Sequence, residues 1–314
     1  MPSFQSASPV RKLESLLSTR HLSFDEIHSL FRKADLFSKH YGSASQATKI
    51  VACLFLEAST RTRISFQIAT QRLGHQFVVI DAGTSTSMSK GETDVDTVLN
   101  IAAMRPDALV IRYNQSAGLD ALLPTLPMPV ISAGTGVEAH PTQALLDAYT
   151  IEKELGGVRG QRVLIVGDII HSRVARSNFD VLRKLGAEIA VCGPEALMPV
   201  KGEIADLKVF NDLDEALAWP TVYMGLRIQK ERHENSEISL IAEPLSHFHQ
   251  DFALTANRLK LLPRNAIIMH PGPINHGVEF DEDVIRDPRA RILQQVTNGV
   301  LIRAAVLDKA LPSI

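Results

Sequence analysis

Short runs of apolar residues alternate with stretches of helical periodicity along almost the whole chain. Uninterrupted apolar runs bounded by polar or turn residues indicate buried strands, and apolar positions three and four residues apart indicate helices. The runs predict strands at 50–56, 77–81, 108–112, 129–132, 162–167, 188–192, 221–225 and 266–270. The periodic stretches predict helices at about 24–40, 61–73, 93–104, 140–155, 172–185 and 289–308.

Continuous apolar strands separated by helices are typical of parallel sheets that helices cover on both faces, so we expect an α/β fold. The pair Gly156-Gly157 ends one predicted helix, after which the alternation starts again. The expected architecture is therefore two doubly wound parallel-sheet domains joined by helices. A length of 314 residues fits this expectation, since domains commonly have about 150 residues.

Composition narrows the classes of function. The formal net charge is −2, so no broad basic field favours nucleic acid, and any cationic site has to be local. No segment approaches the ~18 apolar residues of a membrane span, and no signal-peptide core is visible, so a cytoplasmic location is expected. Cys53 and Cys192 lie in apolar runs and are expected to be buried, inert thiols without a metal pattern.

Polar and cationic residues follow most of the predicted strands. Catalytic residues in parallel α/β folds gather at the carboxyl ends of strands, so these residues are expected to meet in one cleft. They are Ser59–Arg63, Arg112, Asp168–Arg173, Arg227–Gln229 and His270–Pro273.

The run Ser59-Thr60-Arg61-Thr62-Arg63 carries the strongest chemical signal. It lies where a helix is predicted to begin, and a helix N-terminus offers unpaired N–H donors and a positive dipole end. The arginine fork matches phosphate oxygens. A capped helix with two surface arginines is the alternative, but a cap needs only one hydroxyl. We therefore expect a phosphate-bearing ligand.

Three further segments have both a chemical and a plain structural interpretation. The hydroxyl-rich loop around Lys90 is either a solvated loop or a lid that reaches a neighbouring subunit. His140 opens a helix whose dipole would lower the pKa of its ring, which favours a neutral imidazole that can donate to a carbonyl oxygen. The turn His270–Pro273 either ends a strand or displays carbonyl oxygens, because its prolines have no N–H.

Arg173, Arg227 and Gln229 complete the candidate set, as cationic and polar groups for a second ligand rich in carboxylates. Gly167-Asp168 is not followed by a Gly-x-x-Gly pattern, which argues against a dinucleotide site.

Four motifs together resemble the carbamoyltransferase family, and within it the catalytic chains of the aspartate branch. They are Phe55-Leu56-Glu57-Ala58-Ser59-Thr60-Arg61-Thr62-Arg63, Lys90-Gly91-Glu92-Thr93, His140-Pro141-Thr142-Gln143 and His270-Pro271-Gly272-Pro273. The Ser-Thr-Arg-Thr-Arg run is typical of the whole family. The ornithine branch usually carries cysteine in the two histidine motifs, and this chain does not.

The resemblance implies transfer of a carbamoyl group from carbamoyl phosphate to L-aspartate, a committed step towards pyrimidines, with no metal and no organic cofactor. It implies a carbamoyl phosphate domain of residues 1–143 with the C-terminal helix 290–314, and an aspartate domain of residues 144–289. Arg61, Arg112, Lys90, Arg173 and Arg227 would supply five positive charges for two anionic substrates.

The resemblance also implies individual roles. The phosphate ligands would be Ser59, Thr60, Arg61 and Thr62. The carbonyl would be polarised by Thr62, Arg112 and His140. The carbamoyl NH₂ would meet Gln143 and the turn at Pro271, Gly272 and Pro273. The carboxylates of aspartate would be bound by Arg173, Arg227 and Gln229, with Glu57 and Arg232 orienting the arginines. Lys90, from a neighbouring subunit, would touch both substrates, and either Thr86 or Ser87 would be the loop hydroxyl.

Some positions depart from the family pattern, and some alternatives stay open. The departures are Thr135, Glu138-Ala139, Gly272 and His276. Ornithine or an acylated ornithine is a second acceptor, although the cationic stretch 227–232 disfavours it, and an inactive scaffold is a third hypothesis. Shared sites imply a homotrimer. Relatives differ in whether they add a zinc-bearing regulatory chain, dihydroorotase or neither, and nucleic acid and membrane are not expected as partners.

Overall fold

The computed structural model describes residues 15–41, 47–81, 91–136, 138–199, 204, 206–228 and 247–311. The helices are α1 Phe24–Lys39, α2 Thr60–Arg72, α3 Asp94–Ala103, α4 Ala117–Leu122, α5 Pro141–Leu155, α6 Arg173–Lys184, α7 Leu213–Ala216, α8 Phe248–Phe252, α9 Glu282–Arg286 and α10 Ile292–Ala310. The strands are β1 Ile50–Phe55, β2 Gln76–Asp81, β3 Ala108–Tyr113, β4 Val130–Thr135, β5 Arg162–Val166, β6 Glu188–Cys192, β7 Lys208–Phe210, β8 Val222–Gly225 and β9 Ile267–Met269.

The strands form two sheets in which every pairing is parallel. The first has the order β2-β1-β3-β4, and the second has the order β7-β6-β5-β8-β9. In each sheet the chain starts in the middle and moves to both sides, which is the doubly wound arrangement. The predicted fold class is confirmed.

Alternate residues of the central strands pack on opposite faces, as the two-residue period of a strand requires. In β1, Val51 and Cys53 face a large core shared with α1, α2, α5 and α10, whereas Ala52 and Leu54 face a smaller core with α3 and α4. Both faces are therefore covered, which explains why this strand is apolar almost throughout.

Helix α5 is the connection between the two sheets. Almost all of it is buried, including Leu145 and Tyr149, and it packs against α6 on one side and α10 on the other. The large core accordingly runs from β1 of the first sheet to Val163 and Ile165 of β5 in the second. This confirms that helices join the two units.

Capping residues and glycine set several element ends as expected. Ser23 and Glu26 form the capping box of α1, in which the Ser23 side chain accepts from the Glu26 N–H at 3.2 Å and the Glu26 carboxylate accepts from the Ser23 N–H at 2.8 Å. Gly156 ends α5 in the left-handed conformation at φ 75°. The C-terminal helix is shifted by a few residues, since α10 begins at Ile292 rather than at 289.

Candidate active site

A cavity of about 560 Å³ lies where the carboxyl ends of the two sheets approach each other. Among the described residues that line it are five arginines and no carboxylate. The arginines are Arg61, Arg112, Arg173, Arg227 and Arg303. The other predicted site residues that line it are Ser59, Thr60, Thr62, His140, Gln143, Pro271, Gly272 and Pro273. Residues that follow strands of both sheets thus line one cavity, whereas Arg63 and Asp168 of the predicted set are not among the lining residues.

The start of α2 has free capacity for an anion. Ser59 is the N-cap residue, with φ −160°, but its side chain makes no capping hydrogen bond. The first turn contains no acidic residue and carries Arg61 and Arg63 instead. Cations at the positive end of a helix are unfavourable without an anion nearby. Burial lowers the pKa of Arg61, and the positive charge of Arg227 lowers it further.

One carboxylate holds two of the arginines in place. Glu57 Oε2 lies 3.1 Å from Arg173 Nη1 and 3.5 Å from Arg112 Nε. Arg173 Nη1 also donates to the carbonyl of Gly136 at 2.9 Å. The sequence predicted that Glu57 would orient Arg173, and this contact agrees; the link to Arg112 was not predicted.

The end of β4 is shaped around these arginines. The register between β3 and β4 shifts between Ile111 and Tyr113, and Gly134 has φ +125°. A Cβ atom at Gly134 would lie 3.1 Å from Arg112 Nη1 and 3.5 Å from Arg173 Cζ. Glycine adopts this backbone angle readily and leaves room for the Arg112 guanidinium, whereas the Arg173 guanidinium would stay at ordinary contact distance from a Cβ.

His140 is a neutral side chain at the floor of the cavity. It is the residue before α5, it is 5% exposed, and its N–H donates to Ser177 Oγ at 2.9 Å. Burial lowers the pKa of its ring well below the ordinary value, and the charges of Arg173, Arg112 and Arg303 lower it further. The predicted direction is correct, and burial and the neighbouring arginines are causes that the sequence did not predict.

The turn after β9 has no backbone N–H group left for a ligand. Pro271 and Pro273 have none, and the Gly272 N–H donates to His270 Nδ1 at 2.9 Å. The His270 N–H donates to Gln295 Oε1 at 2.9 Å. Burial, followed by the charges of Arg61 and Arg227, lowers the pKa of His270 to about 3, so its ring is neutral. Carbonyl oxygens are what this turn can offer.

A buried polar cluster beneath the cavity was missed in the sequence. Asp147 is fully buried and accepts from Gln143, Gln295 and Asn178. Arg303 is 4% exposed and lies over the Phe66 ring, 5.3 Å from its centroid. The available signal was polar residues at positions of α10 that the helical period assigns to its apolar face.

Some predicted residues cannot be placed. Lys90, Gln229, Thr86, Ser87 and Arg232 lie outside the described residues. Arg227 is the second residue after β8, and its Nε lies 3.5 Å from Asn275 Oδ1. Within the described ranges no group of three or more His, Cys, Asp or Glu side chains could hold a metal. No helix in those ranges is both long and apolar enough to cross a membrane.

Comparison with known proteins gives consistent matches over nearly the full length. Two family models match: the carbamoyl-P binding domain of aspartate/ornithine carbamoyltransferase at residues 14–153, and the Asp/Orn binding domain at residues 159–309. An aspartate carbamoyltransferase catalytic subunit from Helicobacter pylori is 40% identical over 309 residues, covering 95% of this chain and 98% of that protein. One from Gemmatimonas aurantiaca is 47% identical over 255 residues, covering 81% of this chain and 78% of that protein.

Solved structures agree with these matches. Aspartate transcarbamoylase from Trypanosoma cruzi in complex with carbamoyl aspartate and phosphate superposes with a TM-score of 0.84 at 31% identity, covering 98% of this chain and 100% of that chain. The same enzyme with N-(phosphonacetyl)-L-aspartic acid gives a TM-score of 0.85 at 31% identity, with 96% and 97% coverage.

Proposed function

Because the chain belongs to the aspartate/ornithine carbamoyltransferase family, we propose that its cavity catalyses the reaction of the aspartate branch. Carbamoyl phosphate and L-aspartate give N-carbamoyl-L-aspartate and phosphate, which is the committed step of de novo pyrimidine biosynthesis. The T. cruzi relative with a TM-score of 0.84 holds both products of this reaction.

The observation that carries the proposal is the charge of the cavity wall. Five arginines line it, and no carboxylate does among the described residues. Carbamoyl phosphate and aspartate are both anions, so they repel each other and need cations on every side to lie in contact. A cationic acceptor such as ornithine would instead place its side chain among like charges, which disfavours the second hypothesis.

The phosphate lies at the start of α2. Ser59, Thr60 and Thr62 offer hydroxyl and N–H donors there, and Arg61 supplies the charge. This position satisfies the N–H groups at the helix start and removes the unfavourable placement of Arg61 at the positive helix end.

The chemical step depends on the positions of the two substrates and on the electrostatic field of fixed side chains, and it involves no covalent enzyme intermediate. The aspartate amine attacks the carbamoyl carbon, the bond to the phosphate oxygen breaks, and the amine proton passes to a phosphate oxygen. Negative charge develops on the carbonyl oxygen, where Thr62, Arg112 and neutral His140 donate to it. Neutral imidazole suits this role because it still has a proton to donate. It adds no positive charge, so the anionic product does not have to break an ion pair with it when it dissociates.

The other contacts orient the two substrates. Gln143 and the turn Pro271–Pro273 accept from the carbamoyl NH₂. Arg173 and Arg227 bind the carboxylates of aspartate, together with Gln229. Lys90 of a neighbouring subunit completes the site.

Ureido formation by the purified full chain tests the proposal directly. Aspartate and ornithine are offered in parallel with carbamoyl phosphate, and heat released on binding N-(phosphonacetyl)-L-aspartate is measured by calorimetry. We expect turnover with aspartate as the acceptor and none with ornithine. Turnover only with ornithine would replace the acceptor, and binding of the bisubstrate compound without turnover would support the scaffold hypothesis. The absence of both turnover and binding would refute the proposal.

On the basis of family membership we also propose that the chain has two domains and forms a homotrimer with shared active sites. We propose that this trimer lies in the cytoplasm. Residues 1–143 with 290–314 form the first domain, and residues 144–289 form the second. The packing of α10 against α1 and α2 supports the first grouping. The edge strand β2 exposes Val78 and Val79, at 48% and 37%, and exposed apolar edges favour a partner.

Hybrid trimers test the shared site. Lys90→Ala and His140→Ala subunits are each expected to be nearly inactive alone. If Lys90 acts in a neighbouring subunit, mixing the two after mild dissociation restores some sites in which both residues are intact. Mixtures without any gain in activity would contradict the shared site. Mass photometry of the same sample gives the oligomeric state, and it also detects any larger assembly with a regulatory chain or dihydroorotase.

A further inference from the structure

We propose that Asp147 is a positioning residue that turns the carbonyl oxygen of Gln143 towards the substrate, and thereby selects a carbamoyl group over an acyl group of the same shape. This inference rests on the proposed function, because it concerns recognition of the carbamoyl NH₂.

The geometry is a buried carboxylate that receives three amide groups. Asp147 lies one turn after Gln143 in α5 and is fully buried. Its Oδ1 accepts from Gln143 Nε2 at 2.9 Å and from Gln295 Nε2 at 2.8 Å. Its Oδ2 accepts from Asn178 Nδ2 at 2.9 Å. The three donors come from α5, α10 and α6, so the contact ties these helices together at one point.

The carboxylate decides which end of the Gln143 amide meets the ligand. An ionised carboxylate can only accept hydrogen bonds, so Gln143 must give it the NH₂ end. The carbonyl end of the same amide is then left for the cavity that Gln143 lines. A carbonyl oxygen accepts a hydrogen bond from an NH₂ group and has nothing to bind in a methyl group.

Gln295 extends the same control to the turn after β9. Its NH₂ goes to Asp147, and its oxygen accepts from the His270 N–H at 2.9 Å. The turn that begins at His270 has no backbone N–H left for a ligand, as described above. Asp147 therefore lies behind two parts of the wall, the Gln143 amide and the backbone of this turn, that present acceptors.

The charge state of Asp147 follows from the groups around it. Burial raises the pKa of its carboxyl to about 6, while the amides of Asn178, Gln295 and Gln143 and the positive charge of Arg303 all act to lower it. His140, at the start of the same helix, is neutral. The carboxyl of Asp147 is accordingly ionised at neutral pH and takes up a proton below about pH 6.

Asp147→Asn tests the proposal with little change of shape. Asn178 Nδ2 also donates to the carbonyl of Val174 at 3.0 Å, which keeps its NH₂ towards the Oδ2 position. With oxygen at that position, the introduced NH₂ meets the NH₂ groups of Gln143 and Gln295. Gln295 is held by the His270 N–H, from which its oxygen accepts at 2.9 Å, so Gln143 is the residue that can turn. Gln143 must then reverse, which presents its NH₂ to the substrate.

The measurement compares carbamoyl phosphate with acetyl phosphate, in which a methyl group replaces the NH₂. We expect kcat/KM for carbamoyl phosphate to fall about tenfold in Asp147→Asn, the value of one lost hydrogen bond. The inhibition constant of acetyl phosphate should change little. Equal weakening of both compounds would mean a merely structural role, and no change in either compound would mean no role. Either result overturns the proposal.

Asn298→Ser is the matched control. Asn298 is buried and joins α10 to Thr150 of α5 at 3.0 Å, one turn away from Asp147. Its replacement should lower the melting temperature without changing the ratio between the two phosphates. A changed ratio in this variant would attribute the selectivity to the packing of the two helices and would overturn the proposal.

The wild-type protein gives a second test that does not depend on folding of the variant. Its preference for carbamoyl phosphate over acetyl phosphate should fall as the pH drops below about 6, because a protonated Asp147 can donate and releases Gln143. Titration of the two phosphates largely cancels in the ratio. A preference that stays constant from pH 5 to pH 8 would refute the proposal, whereas a wild-type protein without turnover would refute the proposed function instead.

Discussion

Replacement of Gly134 by alanine should perturb Arg112, a residue that is distant from it in sequence. Gly134 lies in β4 with φ +125°, and an added Cβ would come within 3.1 Å of Arg112 Nη1. The nearest atom of Arg173, at 3.5 Å, stays at ordinary contact distance. The substitution thus combines backbone strain with a small displacement of the Arg112 guanidinium.

Both effects have a magnitude. The backbone angle is one that alanine rarely adopts, and such strain costs about 1–3 kcal/mol. Relief of the short contact requires Arg112 to move by only about a few tenths of an ångström, whereas about 1 Å of misplacement can cost 10²-fold in rate. We therefore expect kcat/KM for carbamoyl phosphate to fall about tenfold, since contacts with Glu57 and the Ala133 carbonyl restrain Arg112.

Gly156→Ala is the matched control for backbone strain. Gly156 also has a positive φ, 75°, and an added Cβ there meets nothing within 4 Å. Differential scanning fluorimetry should find a lower melting temperature for both variants, and the ureido assay should find reduced activity for Gly134→Ala alone. Full activity in Gly134→Ala with a lowered melting temperature would refute the argument that this glycine makes room for Arg112. Equal loss of activity in both variants would refute it as well.

Three further outcomes follow from the site. His140→Ala should lower kcat by about 10²–10³-fold with a much smaller change in KM for carbamoyl phosphate; steady-state kinetics with the opposite pattern would remove its role at the carbonyl oxygen. Arg173→Lys should raise KM for aspartate about tenfold or more. An ammonium group in the place of Nη1, which contacts both Glu57 and the Gly136 carbonyl, leaves no second nitrogen for a carboxylate of aspartate. Titration of aspartate at saturating carbamoyl phosphate measures this, and an unchanged KM would contradict it. Cys53 and Cys192 are buried, and burial raises the pKa of Cys192 to about 12, so mass spectrometry should find no alkylation of the native protein by iodoacetamide at pH 8 and modification of both thiols in urea; rapid reaction of the native thiols would contradict their burial.

The regular part of the fold was predictable because its signals are local. The strand β6 was predicted with its observed bounds, and the capping box at Ser23 marked the start of α1. Short elements such as α7 and β7, four and three residues long, were missed. They contain too few residues for a periodic pattern, and their conformation depends on the elements against which they pack.

The candidate site was predictable for the residues that follow strands, since topology brings those ends together. Arg303 and Asp147 lie inside helices, far from any strand end, and were missed. Their place beside the cavity depends on how α5 and α10 pack, which no local pattern specifies. Burial and the approach of Arg303 also lower the pKa of His140 and were not predicted, because they are properties of the assembled fold.

The arginines in the first turns of α2 and α6 have a practical consequence for work at the bench. Arg61 and Arg173 lie at the positive ends of their helices, where the helix dipole repels their charge. A small dianion from the buffer offsets this repulsion as the substrate does. Phosphate and sulfate buffers should therefore raise the thermal stability of the protein and at the same time lower its catalytic rate. Zwitterionic buffers should reverse both effects.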